Sequence, residues 1–268
     1  MDLSSRTHIM GILNVTPDSF SDGGKFFKFE DAKRQALKIA EEGADIIDIG
    51  GESTRPGSEA VPLEEELKRV IPLIEELVKT INIPISIDTY KSEVAQRALD
   101  AGAEIINDIS ALRFDQNMAD MAAGYDAGIV LMHIQGTPKN MQENPHYDNL
   151  IEEIKTYLKE SIKLAEQAGV KKDKIVIDPG IGFGKKVEHN LNILRNLKEF
   201  GELGKPIMVG TSRKSFIGKL LDLPVEQRLE GSLAGLAVSI MNGANLVRVH
   251  DVRESIRVVR LVDEIIRS

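Results

Sequence analysis

With 268 residues and 42% hydrophobic content, the chain is long enough for one large α/β domain, an α/β barrel taking about 250 residues. The formal net charge of −8 at pH 7 excludes a nucleic-acid backbone as the main partner, because that binding needs a clustered basic surface, so any anion site must be local. The absence of cysteine excludes disulfides, thiolate metal sites and cysteine nucleophiles and fits a reducing compartment.

The N-terminus lacks the basic-then-apolar layout of a signal peptide, and no apolar run nears the roughly 20 residues of a membrane helix. A soluble cytoplasmic protein without a membrane partner is expected. Residues 9–15 are an apolar run that predicts a first strand. Residues 16–24 are too polar and too glycine-loaded to pack as an element and predict a mobile loop. Residues 31–42 carry apolar side chains at helical spacing, with Gly43 where a C-cap belongs. A second strand over 46–49 leads into a second long loop over 50–58.

The alternation then repeats. Helices are predicted over 63–79, 92–101, 115–123, 147–167, 187–199, 215–220, 225–241 and 252–265. Strands are predicted over 85–87, 105–106, 129–132, 174–177, 207–209 and 246–249. About eight strand–helix units with no linker predict a single domain over 1–268, a (β/α)8 TIM barrel with two long flexible loops after strands 1 and 2. A doubly wound open sheet has the same periodicity and stays open as the second architecture.

What terminates the strands is informative. Asn14, Asp88, Asn107, Asp178, Lys214, Arg248 and His250 all lie at or just past the C-terminal end of a predicted strand, and in a barrel such positions converge on one rim. Gly210 lets the chain turn tightly after residues 207–209, and Arg213 and Lys214 follow together, which suits an anionic or carbonyl-rich ligand. A flat heterocycle with an amidine-like edge fits this set: Asp178 and Asn107 accept from ring N–H and amino groups, and Lys214 donates to a ring carbonyl. Arg248 and His250 remain for an anion. Asp88 and Asp178 are equally readable as helix caps, a general acid/base pair or part of a magnesium site, and spacing does not separate these readings. His133 reads as structural, and Asp251 as the cap of the last helix.

Eight stretches carry a resemblance: MGILNVTPDSFSDGG at 10–24, DIGGESTRPG at 48–57, IDTYK at 87–91, INDI at 106–109, MHIQGTP at 132–138, DPGIGFGK at 178–185, GTSRKS at 210–215 and RVHD at 248–251. In this order they closely resemble the motifs of the bacterial dihydropteroate synthase family. The resemblance implies a barrel that condenses 6-hydroxymethyl-7,8-dihydropterin diphosphate with 4-aminobenzoate. It also implies a magnesium cofactor (Mg2+) and a homodimer.

By matching position, the resemblance implies a pterin pocket of Asp88, Asn107, Asp178, Lys214 and Arg248, lined by Ile109, Met132, Phe183 and Gly210. Asp88, Lys214, Arg248 and Asp178 are the implied catalytic set. Asn14, Arg55, Arg248 and His250 are the implied diphosphate site, with Asn14 as metal ligand. Phe20, Asp22, Thr54, Pro56, Phe183 and Ser215 are the implied surroundings of 4-aminobenzoate. Two other functions use similar strand-end residues: a pterin-dependent methyltransferase acting on a corrinoid partner, and a non-catalytic pterin-binding relative. The first has no use for Arg55, His250 or the two anion-organising loops, and the second is expected to have lost an anion ligand.

Overall fold

The computed structural model describes residues 2–15 and 25–267, with the backbone alone for 25–28 and 267. Among the described residues, β1 (His8–Asn14), β2 (Ile46–Gly50), β3 (Ile85–Asp88), β4 (Ile105–Asp108), β5 (Gly128–Met132), β6 (Ile175–Asp178), β7 (Met208–Val209) and β8 (Leu246–Val249) form one parallel sheet in the order β6-β5-β4-β3-β2-β1-β8-β7. The two ends of that order meet: Ile207 bridges Ile177, and the Ile177 N–H donates to the Pro206 carbonyl at 2.9 Å. The sheet is therefore a closed (β/α)8 barrel, and the open-sheet alternative falls.

The helices are α1 (Lys25–Glu41), α2 (Leu63–Leu77), α3 (Ser92–Asp100), α4 (Met118–Gly124), α5 (Leu150–Ala168), α6 (Val187–Arg195), α7 (Ser215–Leu221), α8 (Leu229–Met241) and α9 (Val252–Arg267). Their apolar stripes face the strands. In α2, Val70, Leu73, Ile74 and Leu77 are buried at the spacing of one helix face, and Glu64, Glu65 and Glu66 fill the first turn, where the helix dipole favours anions. Each such aliphatic side chain taken from water contributes about 1.5–3 kcal/mol. α5 starts at Asn149, whose side chain accepts the Glu152 N–H, and stops at Gly169 in the left-handed region, φ 102°. No helix among the described residues is long and apolar enough to cross a membrane.

Several helix boundaries differ from the sequence reading, α5 for instance beginning at Leu150 rather than 147. α1 begins at Lys25 rather than 31, and Phe29 packs against the core. α4 begins at Met118 rather than 115 because the Asp115 carboxylate takes the N–H groups of Ser92 (2.8 Å) and Asn117 (3.0 Å), capping the start of α3 from outside. The helix expected over 187–199 breaks at Asn196 into α6 and a 3-10 turn, Leu197–Leu203; Asn242 donates to the Leu194 carbonyl at 2.8 Å. The helix expected over 225–241 is a short 3-10 turn, Val225–Gln227, followed by α8.

The core has two main layers, with a small third cluster of Ile109, Met132, Ile134 and Met141 at the C-terminal end of the strands. The larger lies between strands and helices; the smaller fills the barrel floor with Met10, Ile46, Val130, Val176, Met208 and Leu246. These floor residues are the inward positions of their strands, and two residues further along each of several strands the inward positions turn polar.

Candidate active site at the C-terminal rim

Strand alternation carries Asn14, Asp48, Asp88, Asn107, Asp178 and Arg248 inward at the top of the barrel. Their registers align: Asn14 pairs with Gly50, Gly50 with Asp88, and Asp88 with Asn107. The resulting pocket is lined by Asp88, Asn107, Ile109, Met132, Asp178, Phe183, Gly210, Lys214, Arg248, His250 and Thr54, all expected from the sequence, together with Ile12, Met208 and Ser212, which were not. A larger hollow at the opposite end of the barrel is bordered by floor residues such as Met10, Ile46 and Leu246 and contains none of these strand-end groups.

One guanidinium organises the polar set. Arg248 Nε donates to Asp48 Oδ2 at 2.6 Å and Nη2 to Asp88 Oδ2 at 2.7 Å, while Asn107 Nδ2 donates to Asp48 Oδ2 at 3.0 Å. The opposite oxygens, Asp48 Oδ1, Asp88 Oδ1 and Asn107 Oδ1, are buried without a partner. A buried acceptor left unmatched costs about 1–3 kcal/mol. Two of them belong to residues lining the pocket, Asp88 and Asn107, and call for a ligand rich in N–H donors. On the far wall Asp178 Oδ1 accepts the Gly180 N–H at 2.7 Å. Lys214 donates to the Ile181 carbonyl, and its Nζ lies 4.5 Å from the centroid of the Phe183 ring.

Burial dominates the electrostatics. It pushes the Asp88 carboxyl up to about 7 against the pull of Arg248, with Asp48 adding to the rise. Asp178 is raised for the same reason, opposed by Lys214. Lys214 is lowered to about 8 by burial, opposed by Asp178. His250 is lowered to about 4 by burial and by Arg248, so near neutral pH it offers a hydrogen bond rather than a charge. A pocket that gathers buried carboxylates and a buried lysine with shifted pKa values has the marks of a functional site.

The known proteins that the chain resembles agree with this geometry. A family described as pterin binding enzymes matches residues 10–250. The dihydropteroate synthase of Clostridium beijerinckii is 51% identical over 267 residues, 99% of this chain and 97% of that protein. The chain belongs to the dihydropteroate synthase family. Among solved structures, dihydropteroate synthase from Clostridium difficile, crystallised in the presence of pteroic acid, matches with a TM-score of 0.95 at 50% identity, covering all of both chains. The Xanthomonas albilineans dihydropteroate synthase with 4-aminobenzoic acid matches with a TM-score of 0.94 at 46% identity, covering 100% of this chain and 96% of that one.

Within this member of the family, the loop after β6 is fixed by backbone conformations that only glycine takes easily. Gly180 has φ +72°, and a Cβ there would lie 1.9 Å from the His133 carbonyl oxygen; Gly184 has φ +63°, and its Cβ would lie 2.5 Å from the Gln135 carbonyl oxygen. Behind the loop, Lys185 Nζ contacts His133 Nδ1 at 2.9 Å and donates to the Phe183 carbonyl at 2.9 Å. Both Lys185 and His133 are buried, and burial lowers both far below their usual values. His133 thus holds the wall of the pocket, its ring 4.6 Å from that of Tyr157.

The remaining expected residues are less central. Asn14 does not border the pocket; it closes β1 opposite Gly50, where a Cβ would lie 3.7 Å from its Oδ1. Arg55 and Pro56 are exposed on the second loop, with Arg55 close enough to His250 to disfavour its protonation. Ser215 opens α7 and is exposed. Phe20 and Asp22, with the first loop, lie outside the described residues. Arg248 commits two of its three nitrogens to Asp48 and Asp88, so only one remains for an anion. Asp251 is engaged by Arg213, at 3.0 and 2.5 Å.

Sequence reasoning missed Asp48, a lone carboxylate in the apolar run 46–49, whose inward register is the signal that would have found it. It also missed Ser212, whose Oγ lies 3.0 Å from His250 Nδ1, and Lys185.

Proposed function

We propose that this chain condenses 6-hydroxymethyl-7,8-dihydropterin diphosphate with 4-aminobenzoate, giving 7,8-dihydropteroate and diphosphate in folate synthesis. The observation that carries this reading is the set of unpartnered acceptors around Arg248: Asp88 Oδ1 and Asn107 Oδ1, buried and facing a pocket closed by Asp178 and Lys214. A dihydropterin offers ring N–H and amino donors to Asp88, Asn107 and Asp178 and a ring acceptor to Lys214. Donors placed there favour the ionised carboxylates that burial alone disfavours. Ile109, Met132, Phe183 and Gly210 provide the apolar walls that keep water from the ring.

The diphosphate arm points to the rim, where Arg55 provides charge, His250 a neutral N–H, and Arg248 its remaining nitrogen. The C–O bond breaks first, its electron pair leaving on diphosphate. The methylene cation is delocalised into the electron-rich dihydropterin, and Asp88 and Asp178 add negative potential beside it. The amine of 4-aminobenzoate, held among Thr54, Pro56, Phe183 and Ser215 with Phe20 and Asp22 of the first loop, then forms the C–N bond and loses a proton. An arylamine is already nucleophilic, so no serine, cysteine or lysine nucleophile is required.

Mg2+ takes oxygen ligands, keeps several waters and is held by one or two protein groups plus substrate phosphates. The side-chain amide oxygen of Asn14, at the end of β1, is an oxygen ligand of the kind it takes. Among the described residues no cluster of three histidine or acidic side chains could cage a metal, which fits an ion held mainly by diphosphate. Asn14 would hold it, and when bound it would neutralise the leaving group. A single catalytic domain, a cytoplasmic location and a homodimer complete the proposal. The exposed Val238 and Met241 of α8 and Leu261 and Ile265 of α9 support the dimer as an apolar face, which light scattering tests.

Supplying the dihydropterin diphosphate, 4-aminobenzoate and magnesium tests the activity. Stoichiometric diphosphate and dihydropteroate are expected, and no product from folded protein overturns the reading.

A further inference from the structure

The second loop is tied shut at its neck by groups that the reaction does not use. Glu52 Oε2 accepts the Val61 N–H at 2.9 Å, and Lys91 Nζ donates both to Glu52 Oε2 at 2.6 Å and to the Val61 carbonyl at 2.7 Å. One carboxylate and one ammonium thus hold both ends of the segment 52–61. The ammonium also donates to Glu66 Oε2 of α2 at 2.5 Å, and Tyr90 donates its hydroxyl to Glu52 Oε1 at 2.6 Å. Glu66 in turn accepts from Thr89 at 2.9 Å, and Arg69 Nη1 holds the Gly51 carbonyl at 2.8 Å.

This cluster is not a solvated surface pair. The side chains of Glu52, Glu66 and Lys91 are 5%, 1% and 19% exposed, so salt screens it weakly and removal of the cation leaves two buried carboxylates facing each other. Its place in the chain is specific. Thr89, Tyr90 and Lys91 directly follow Asp88 of the pocket, and Glu52 directly precedes Ser53 and Thr54. The tie connects the strand end that faces the ring to the loop that presents Thr54 to the pocket and Arg55 to the rim.

We propose that Lys91 is a positioning residue for the second substrate: by closing the neck of loop 52–61 onto β3 and α2, it sets Thr54, Arg55 and Pro56 at a fixed height above the ring pocket. This rests on the proposed synthase reaction. The neck bonds restrict the backbone on both sides of an eight-residue tip, so the entropy of placing the tip is largely spent before 4-aminobenzoate arrives. The ring-facing groups Asp88, Asn107, Asp178 and Arg248 stand on β3, β4, β6 and β8, which strand pairing holds without the tie.

The test compares wild type, Lys91→Met, Lys91→Arg and the double variant Lys91→Met/Glu66→Gln, which relieves the unpaired buried charge should the single variant misfold. Four quantities are measured: kcat, KM for 4-aminobenzoate, Kd for a non-reactive pterin analogue, and amide hydrogen exchange over residues 53–61. Expected are a KM raised at least tenfold in Lys91→Met or the double variant, a pterin Kd within twofold of wild type, and faster exchange in the loop with the strands unchanged. Lys91→Arg is expected to recover KM to within about threefold. An unchanged KM with unchanged loop exchange overturns the proposal, as does a pterin Kd that weakens in step with KM. A wild type that forms no product refutes the synthase reading instead, and the exchange comparison still tests the tie.

Discussion

Replacing Asp178 with asparagine is nearly isosteric and isolates one charge. The remaining carbonyl oxygen still accepts the Gly180 N–H, now 2.7 Å from Oδ1, so the loop after β6 keeps its shape. The second position becomes an NH2 donor facing whatever donors a ring presents, and a charge-assisted hydrogen bond becomes a mismatch. Loss of such a bond costs about 1.5–3 kcal/mol, which is a rise of about 10- to 150-fold in Kd. Folding should not suffer, because burial already disfavours the charged carboxylate there. Calorimetric titration of a dihydropterin analogue into both proteins, with thermal unfolding as the control, measures the effect. A Kd within twofold of wild type, at equal thermal stability, would show that Asp178 does not touch the ring and that the pocket is misassigned.

Three further outcomes are expected. Arg55→Ala should leave affinity for a pterin lacking diphosphate unchanged while turnover falls about 100-fold or more, the usual cost of losing one donor to developing charge; parallel losses would move Arg55 to the ring. 4-Aminobenzoate should bind more tightly once magnesium and diphosphate are both present, by about 1–3 kcal/mol, in titrations with a pterin analogue held at saturation; equal affinities would remove the anion from the ordering of the rim. Asp88 has a folded-state pKa raised from 3.8 to about 7, so its contribution to stability is fully present below about 4 and is lost as pH rises through 7. The stability of wild type relative to Asp88→Asn should therefore decline between pH 4 and 7 in denaturant titrations, and a constant difference would mean that Arg248 holds the carboxylate ionised throughout.

Local chemistry made the barrel readable. Strand runs such as 85–87 and 246–249 end in polar residues, and that punctuation alone puts Asp88, Asn107, Asp178 and Arg248 on one rim. What stayed hidden depends on partners far apart in the chain. The sequence offers Arg248 to the ring and to an anion alike, whereas its Nε binds Asp48 across 200 residues of sequence, and no local pattern announces that pairing. Asp115 looked like the first residue of a helix because its carboxylate's partner, the Ser92 N–H, belongs to another element. The second loop, rich in Gly, Pro and Ser, reads as free along its length; its tie through Lys91 involves residues 25 to 39 positions away. Periodicity reports which face of an element is apolar and is silent on which polar groups meet.

The two glycines of the loop after β6 have a bearing on inheritance. At Gly180 and Gly184 even a methyl group collides with backbone oxygens of the neighbouring strand end, and no rotamer change moves a backbone oxygen. Substitution at either glycine therefore requires the backbone of the loop to move. The tip around Arg55 and Pro56 is exposed, whereas Gly57, at φ +81°, keeps a glycine's conformation even though nothing lies within 4 Å of a Cβ there. Under selection by a molecule that mimics the second substrate, variation has room at the tip and almost none at the wall. Resistance can be found there without surrendering the ring pocket, and an inhibitor that leans on the wall meets a surface the lineage cannot easily redraw.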